Sequence, residues 1–196
     1  MLHRQLTIKG EFMKSFENQL LIAMPSLDGS YFNKTVTYIC EHNDEGAMGL
    51  IINMPINVTL NELLTQIDED KAEEPELEQL VMTGGPVSQD RGFVLHSIQP
   101  GWSSSLALNQ EMMITTSKDI LMALGTEDAP EKYMVTLGYA GWGPGQLEEE
   151  IKANSWLTTP ADTEIVFNTP VEQKWKKATE KLGINVAHLS HDIGHA

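Results

Sequence analysis

The sequence predicts an α/β fold, in which a mixed, largely antiparallel sheet packs with interspersed helices as two layers or a sandwich. Three observations carry that reading. Short apolar runs recur along the chain at strand length. Segments with helix-start signals fall between them. The turn-forming stretch Asn43-Asp-Glu-Gly46 lies between two apolar runs and closes a hairpin. Strands dominate, so two packed layers form the most economical architecture. A chain of 196 residues suffices for one substantial core and demands no second domain.

Taken in order, residues 1–12 read as an extension, because Met13 would serve equally as a start, and residues 13–196 as a single domain. The N-terminus is mixed and polar, without the apolar stretch of a signal peptide. Strands are expected at Leu20–Met24, Thr35–Cys40 and Met48–Asn53. Thr59-Leu-Asn-Glu62 is a capping box, and Leu60, Leu63, Leu64 and Ile67 give its helix one apolar face. Asp68–Glu78, with seven acidic residues and one lysine, reads as a solvated surface connection. Further strands follow at Leu80–Thr83, Gly92–Ile98, Met112–Thr115, Lys132–Tyr139 and Glu164–Phe167. Ser117 is positioned to cap a helix over Lys118–Leu124, and another runs from Pro144 to about Ala153 with Leu147 and Ile151 inward. Thr169-Pro-Val-Glu172 combines a capping box with proline at the first helical position; Val171, Trp175, Ala178 and Leu182 form the buried stripe, and Gly183 ends the helix.

Charge excludes more than it identifies. The formal net charge is −15, with only 13 basic residues. Phosphate binding draws its affinity from Lys and Arg, so direct nucleic-acid recognition is disfavoured and a basic partner fits better. The one basic cluster, Lys174, Lys176, Lys177 and Lys181, reads as the solvated side of a helix. Cys40 is the only cysteine, which fits a reducing cytoplasm. No apolar run reaches membrane-spanning length.

Several constellations could carry chemistry. Gly138-Tyr-Ala-Gly-Trp-Gly-Pro-Gly-Gln-Leu-Glu148 has the order strand, glycine turn, helix of a phosphate loop. Gln146 replaces the third glycine, Pro144 removes a donor, and Glu148, Glu149 and Glu150 would repel phosphate. No Walker lysine and no serine nucleophile elbow occur, and no cofactor is implied. Cys40 and His42 would point the same way in a regular strand and could pair as thiolate and base, although a half-buried cysteine is usually a small hydrophobe. Arg91 reads as a structural anchor paired with Asp90 or carbonyls; the functional alternative is anion recognition shared with His96. At the tail, His188, His191 and His195 around Asp192 have a spacing compatible with metal at a chain end that commonly frays, which favours no built metal site.

Four segments together resemble the AlgH/YqgE family of bacterial proteins. They are Leu21-Ile-Ala-Met-Pro25; Cys40-Glu-His-Asn43 with Gly46-Ala-Met-Gly-Leu-Ile-Ile-Asn53; Gly84-Gly-Pro-Val87 with Arg91-Gly-Phe-Val-Leu-His96; and Gly138 to Glu148. Asp28-Gly29 stands where the family pattern has Asp-Pro, a turn detail. The resemblance implies an α/β sandwich, a transcriptional-regulator label without a defined biochemical activity, and a shallow, partly apolar cleft suited to intermolecular contacts. Carried over, the cleft points to Met24, Pro25, His42, Gly49, Asn53, Gly85, Pro86, Arg91, His96, Trp142, Gly143 and Gln146, none with a catalytic role.

The reading is a cytoplasmic binding or regulatory protein, a monomer or weak oligomer, acting on a protein partner or small ligand at that cleft. An enzyme using Cys40 with His42, or Arg91 with His96, is the alternative; a direct DNA-binding regulator comes third.

Overall fold

The computed structural model describes residues 14–27, 29–73 and 77–184. Its strands are β1 (Gln19–Ala23), β2 (Val36–Asn43), β3 (Gly46–Ile51), β4 (Pro55–Thr59), β5 (Leu80–Thr83), β6 (Val87–Ser97), β7 (Ser105–Ala107), β8 (Met112–Thr115), β9 (Tyr133–Trp142) and β10 (Trp156–Pro160). Among the described residues four α-helices accompany them: α1 (Leu60–Ile67), α2 (Lys118–Ala123), α3 (Gln146–Lys152) and α4 (Lys174–Lys181). The sheet order is β10-β1-β2-β3-β9-β6-β8-β7, with β5 beside β9 and β4 beside β5. Every pairing is antiparallel except β5 with β9. The mixed, largely antiparallel α/β fold expected from the sequence is present as a large curled sheet with several helices.

The curl turns on β9. Tyr133–Leu137 pairs with β6 and touches β5, whereas Ala140–Trp142 pairs with β3. Gly138, between them, has φ +78°, a bend that a side-chain-bearing residue resists. Inside the curl, Leu20, Ile22, Tyr38, Ile52, Leu95 and Met134 meet Ile165, Val166 and Ala178. Each large side chain buried there contributes roughly 1.5–3 kcal/mol. The other face of β1 is buried as well: Leu21 and Ala23 pack with Trp142, Leu147 and Trp156. α1 and α2 cover a third region, setting Leu60, Leu64, Ile120 and Leu124 on Val81, Val94 and Val135.

Local signals at Thr59 hold: its side chain accepts from Glu62 N–H, and Glu62 accepts from Thr59 N–H at 2.8 Å. Others are overridden. Ser117 makes no cap; its hydroxyl donates to Asp119 Oδ1 at 2.5 Å. Glu164–Phe167 is not a strand. Glu164–Asn168 winds as a π-helical turn, closed by Thr169 N–H to Glu164 O at 2.9 Å. A short apolar run is periodic in neither sense, and here Ile165 and Val166 reach the core as a turn. Thr169 consequently forms no capping box: its hydroxyl donates to Glu164 O at 3.0 Å, and a 3-10 turn at Val171–Gln173 leads into α4. β4, β7 and β10 lack a sequence pattern strong enough to announce them.

Lys174 corrects the reading of the basic cluster. It is buried, and Nζ donates to Ile52 O at 3.1 Å and Val166 O at 2.8 Å. Lys176, Lys177 and Lys181 do lie outward, with Glu180 and Asp162 near them. The predicted extension over residues 1–12 and the tail residues His188, His191, Asp192 and His195 lie outside the described residues.

Candidate functional site

A groove crosses the sheet where β2, β3, β9, β6, β8 and β7 lie side by side. It consists of two hollows, about 490 and 420 Å³, that share Glu41, Met48 and Tyr139. Its floor is apolar because this sheet face buries Leu50, Phe93 and Ile114, with Cys40, Met48, Leu108 and Tyr139 packed on them. Tyr139 meets Phe93 edge to face, with ring centroids 5.9 Å apart. The register slips in β6, where Val87 opposes Tyr139 but Gly92 opposes Leu137. The extra residues bulge, and Arg91 comes to the rim with its guanidinium 5.2 Å from the centre of the Phe93 ring. Ser104, Ser105 and Thr116 supply hydroxyls at one end, and Glu41, Asn43 and Glu45 line the other. Leu106, on the edge strand, is 62% exposed beside it.

The residues expected to form one cleft do not converge. Arg91 and Trp142 line the groove, but Trp142 is only 7% exposed and belongs to the core. Its indole N–H donates to Glu150 Oε2 at 2.7 Å, and that of Trp156 reaches the same oxygen at 3.0 Å. The glycine turn therefore buries most of Trp142, which the resemblance placed in the cleft. Gly143 and Gln146 close that turn, Gly143 N–H donating to Gln146 Oε1 at 3.0 Å. Gln146 Nε2 in turn donates to Glu150 Oε1 at 3.1 Å. Met24 and Pro25 follow β1, with Met24 N–H on Ser155 O. Gly49 sits in β3 opposite Ile39. Asn53 clamps a strand entry, accepting from Val36 N–H at 2.8 Å and donating to Lys34 O at 2.9 Å. Gly85 packs on the backbone of β9, and Pro86 is exposed beyond it.

Neither proposed catalytic pair forms. A bulge between Ile39 and Glu41 breaks the alternation that would align Cys40 with His42. Cys40 Sγ turns to Tyr38 O at 3.9 Å, and burial pushes its thiol well above the usual range. His42 is committed elsewhere: Nδ1 accepts from Phe16 N–H at 2.9 Å, so Nε2 donates to Glu148 Oε1. Burial would raise the Glu148 carboxyl, but its own backbone N–H and the hydrogen bond from His42 outweigh that and hold it below normal. Arg91 and His96 also part company. His96 is fully buried, with Nε2 2.7 Å from Thr115 Oγ1 and Nδ1 2.8 Å from Ser97 O, and burial lowers its pKa. Arg91 is exposed and makes no ion pair with Asp90 among the described residues. The same residues contain no group of three or more His, Cys, Asp or Glu placed to hold a metal ion.

Sequence reasoning missed Met48, Phe93, Ile114 and Tyr139 as groove residues, because an apolar residue on a strand carries no mark of which sheet face stays open. It also missed Lys174, for which a signal existed: position 174 lies three residues after Val171 and four before Ala178, on the buried stripe.

The curled sheet, its glycine-lined crossing and the groove define an α/β protein of one recognisable kind. The chain belongs to the AlgH-like family, whose model matches residues 20–187. It is 65% identical to the UPF0301 protein of Colwellia psychrerythraea, over 94% of this chain and all of that one. A UPF0301 protein of Pseudoalteromonas translucida is 54% identical at the same coverage. The solution structure of the AlgH protein from Pseudomonas aeruginosa superposes with a TM-score of 0.76 at 43% identity, covering 96% of this chain and all of that one. A crystal structure from Corynebacterium diphtheriae shares the fold at TM-score 0.67 and 19% identity, over 88% of this chain and 90% of its own. No helix among the described residues is long and apolar enough to cross a membrane.

Proposed function

We propose that this chain is a cytoplasmic binding protein with a regulatory role, acting through the groove on β2, β3, β9, β6, β8 and β7. The observation that supports it best is the join at Met48 and Tyr139: two hollows share an apolar floor and end under an Arg91 guanidinium without an acidic partner among the described residues. Such a surface suits a ligand with an apolar body and one carboxylate, whether free or as part of a partner protein. A net charge of −15 opposes direct DNA contact, so regulation would pass through a partner or small molecule.

Phenylpropionate and its neutral amide serve as probes in an NMR titration of labelled protein. Shift changes should cluster on Met48, Phe93, Leu106 and Tyr139, and Arg91→Met should weaken the acid several-fold while leaving the amide unchanged. Changes scattered over the surface, or an Arg91→Met variant that binds both probes as before, would remove the groove from consideration.

A further inference from the structure

A third hollow, of about 680 Å³, lies away from the groove, between the π-helical turn and the β4–β5 edge. Its volume is in the range of small-molecule sites. Met82, Met134 and Phe167 give it apolar walls, and Leu80, 41% exposed, is an exposed apolar side chain of its lining. Lys174 lines it yet keeps only 2% of its surface in water. We propose that Lys174 is an imine-forming lysine, and that this hollow admits an aldehyde with a small apolar body which the amine captures covalently.

The geometry suits a neutral amine. Neutral Nζ carries two N–H bonds, and the carbonyls of Ile52 and Val166 accept both, at 3.1 and 2.8 Å. The remaining tetrahedral direction belongs to the lone pair. No carboxylate among the described residues pairs with Nζ to hold the charged form. Burial lowers the amine to about 8, so a useful fraction is neutral near physiological pH. The Val166 carbonyl is free to accept because Pro170, four residues on, has no N–H; the chain there is wound as a π-turn, a local widening often found at functional sites.

In the reaction the lone pair attacks the aldehyde carbon, the C=O π pair moves to oxygen, and one nitrogen proton passes to that oxygen. The carbinolamine then loses its hydroxyl with the second nitrogen proton as water, leaving C=N. No oxidant or reductant is needed.

Lys176 and Lys177 are exposed on the same helix and serve as internal controls. Folded protein is treated with benzaldehyde and cyanoborohydride, which reduces any imine to a stable secondary amine, and peptides are mapped by mass spectrometry. Lys174 should label at least about ten-fold faster than either control at pH 7.5, with the rate rising half-maximally near pH 8. Leu80→Trp, which narrows the hollow, should slow Lys174 alone. Labelling of Lys174 no faster than Lys176 and Lys177, or a rate unchanged by Leu80→Trp, overturns the assignment. Neither result bears on the groove, whose test uses other probes and residues.

Discussion

Gly85 and Gly138 lie backbone against backbone. A Cβ on Gly138 would come within 2.6 Å of Gly85 O, and one on Gly85 within 2.1 Å of the Tyr139 carbonyl carbon. Real Cβ atoms do not approach that closely, and both residues have positive φ, +155° and +78°. The crossing is tied by Gly84 N–H to Leu137 O and Ile51 N–H to Gly84 O, each 2.8 Å. Two glycine segments far apart in sequence are thus the two halves of one contact, the place where the sheet curls.

Gly85→Ala should cost about 3 kcal/mol or more in urea unfolding, since strain and displaced backbone act together. Gly143→Ala is the contrast: its nearest neighbour would be Gln146 Oε1 at 3.9 Å, so the change should stay within about 0.5 kcal/mol. Equal effects at the two sites would refute the close-approach account.

Glu150 holds two buried indoles through a single oxygen. Glu150→Ala strands both N–H groups and should cost about 2–4 kcal/mol, with a shift in tryptophan emission. Glu150→Gln keeps an acceptor and should recover at least half of the loss. If the alanine variant melts like the wild type, the shared acceptor contributes little.

Lys174 predicts a pH dependence of definite sign. Its folded pKa, about 8, lies below the ordinary 10.5, so the unfolded chain binds more protons between those values. Stability from this group is therefore lowest below pH 8 and recovers as pH rises toward 10.5, by up to about 3 kcal/mol. Half-buried Cys40 and buried Tyr38, both pushed upward, act in the opposite sense over the alkaline range. The difference between wild type and Lys174→Met isolates the lysine: the wild type should gain on the variant from pH 7.5 to 10. A constant difference would mean the buried amine titrates normally.

Cys40 should resist alkylation. With the thiol pushed up by burial, almost no thiolate exists at pH 7.5, and iodoacetamide should react at least about ten-fold more slowly than with free cysteine. Urea should restore the free rate. A native rate matching or exceeding that of free cysteine would revive Cys40 as a nucleophile.

Most strands were legible because their apolar runs bury at least one face, as β5 and β8 show with bounds identical to those expected. The Thr59 capping box was legible because donor and acceptor sit three residues apart. Glu164–Phe167 was not, since a run of three apolar residues after Glu164 fits a strand and a turn equally and packing under α4 made the choice. Of the residues lining the groove, Arg91 was singled out in the sequence by the family motif it sits in, whereas Met48 and Tyr139 looked like core. Trp142 shows the opposite error: the family motif placed it in a cleft, and Glu150, eight residues on, accepts its indole N–H within the core.

The sequence by itself determined the α/β class, the family motifs and a charge unsuited to phosphate. These follow from local sterics, periodicity and composition, which act over a few residues or over the whole chain. Only the tertiary structure decided that Gly85 meets Gly138, that the Ile39–Glu41 bulge separates Cys40 from His42, and that Lys174 turns inward onto two carbonyls. Each depends on which distant backbone arrives alongside, a quantity that neighbouring residues in the chain do not specify.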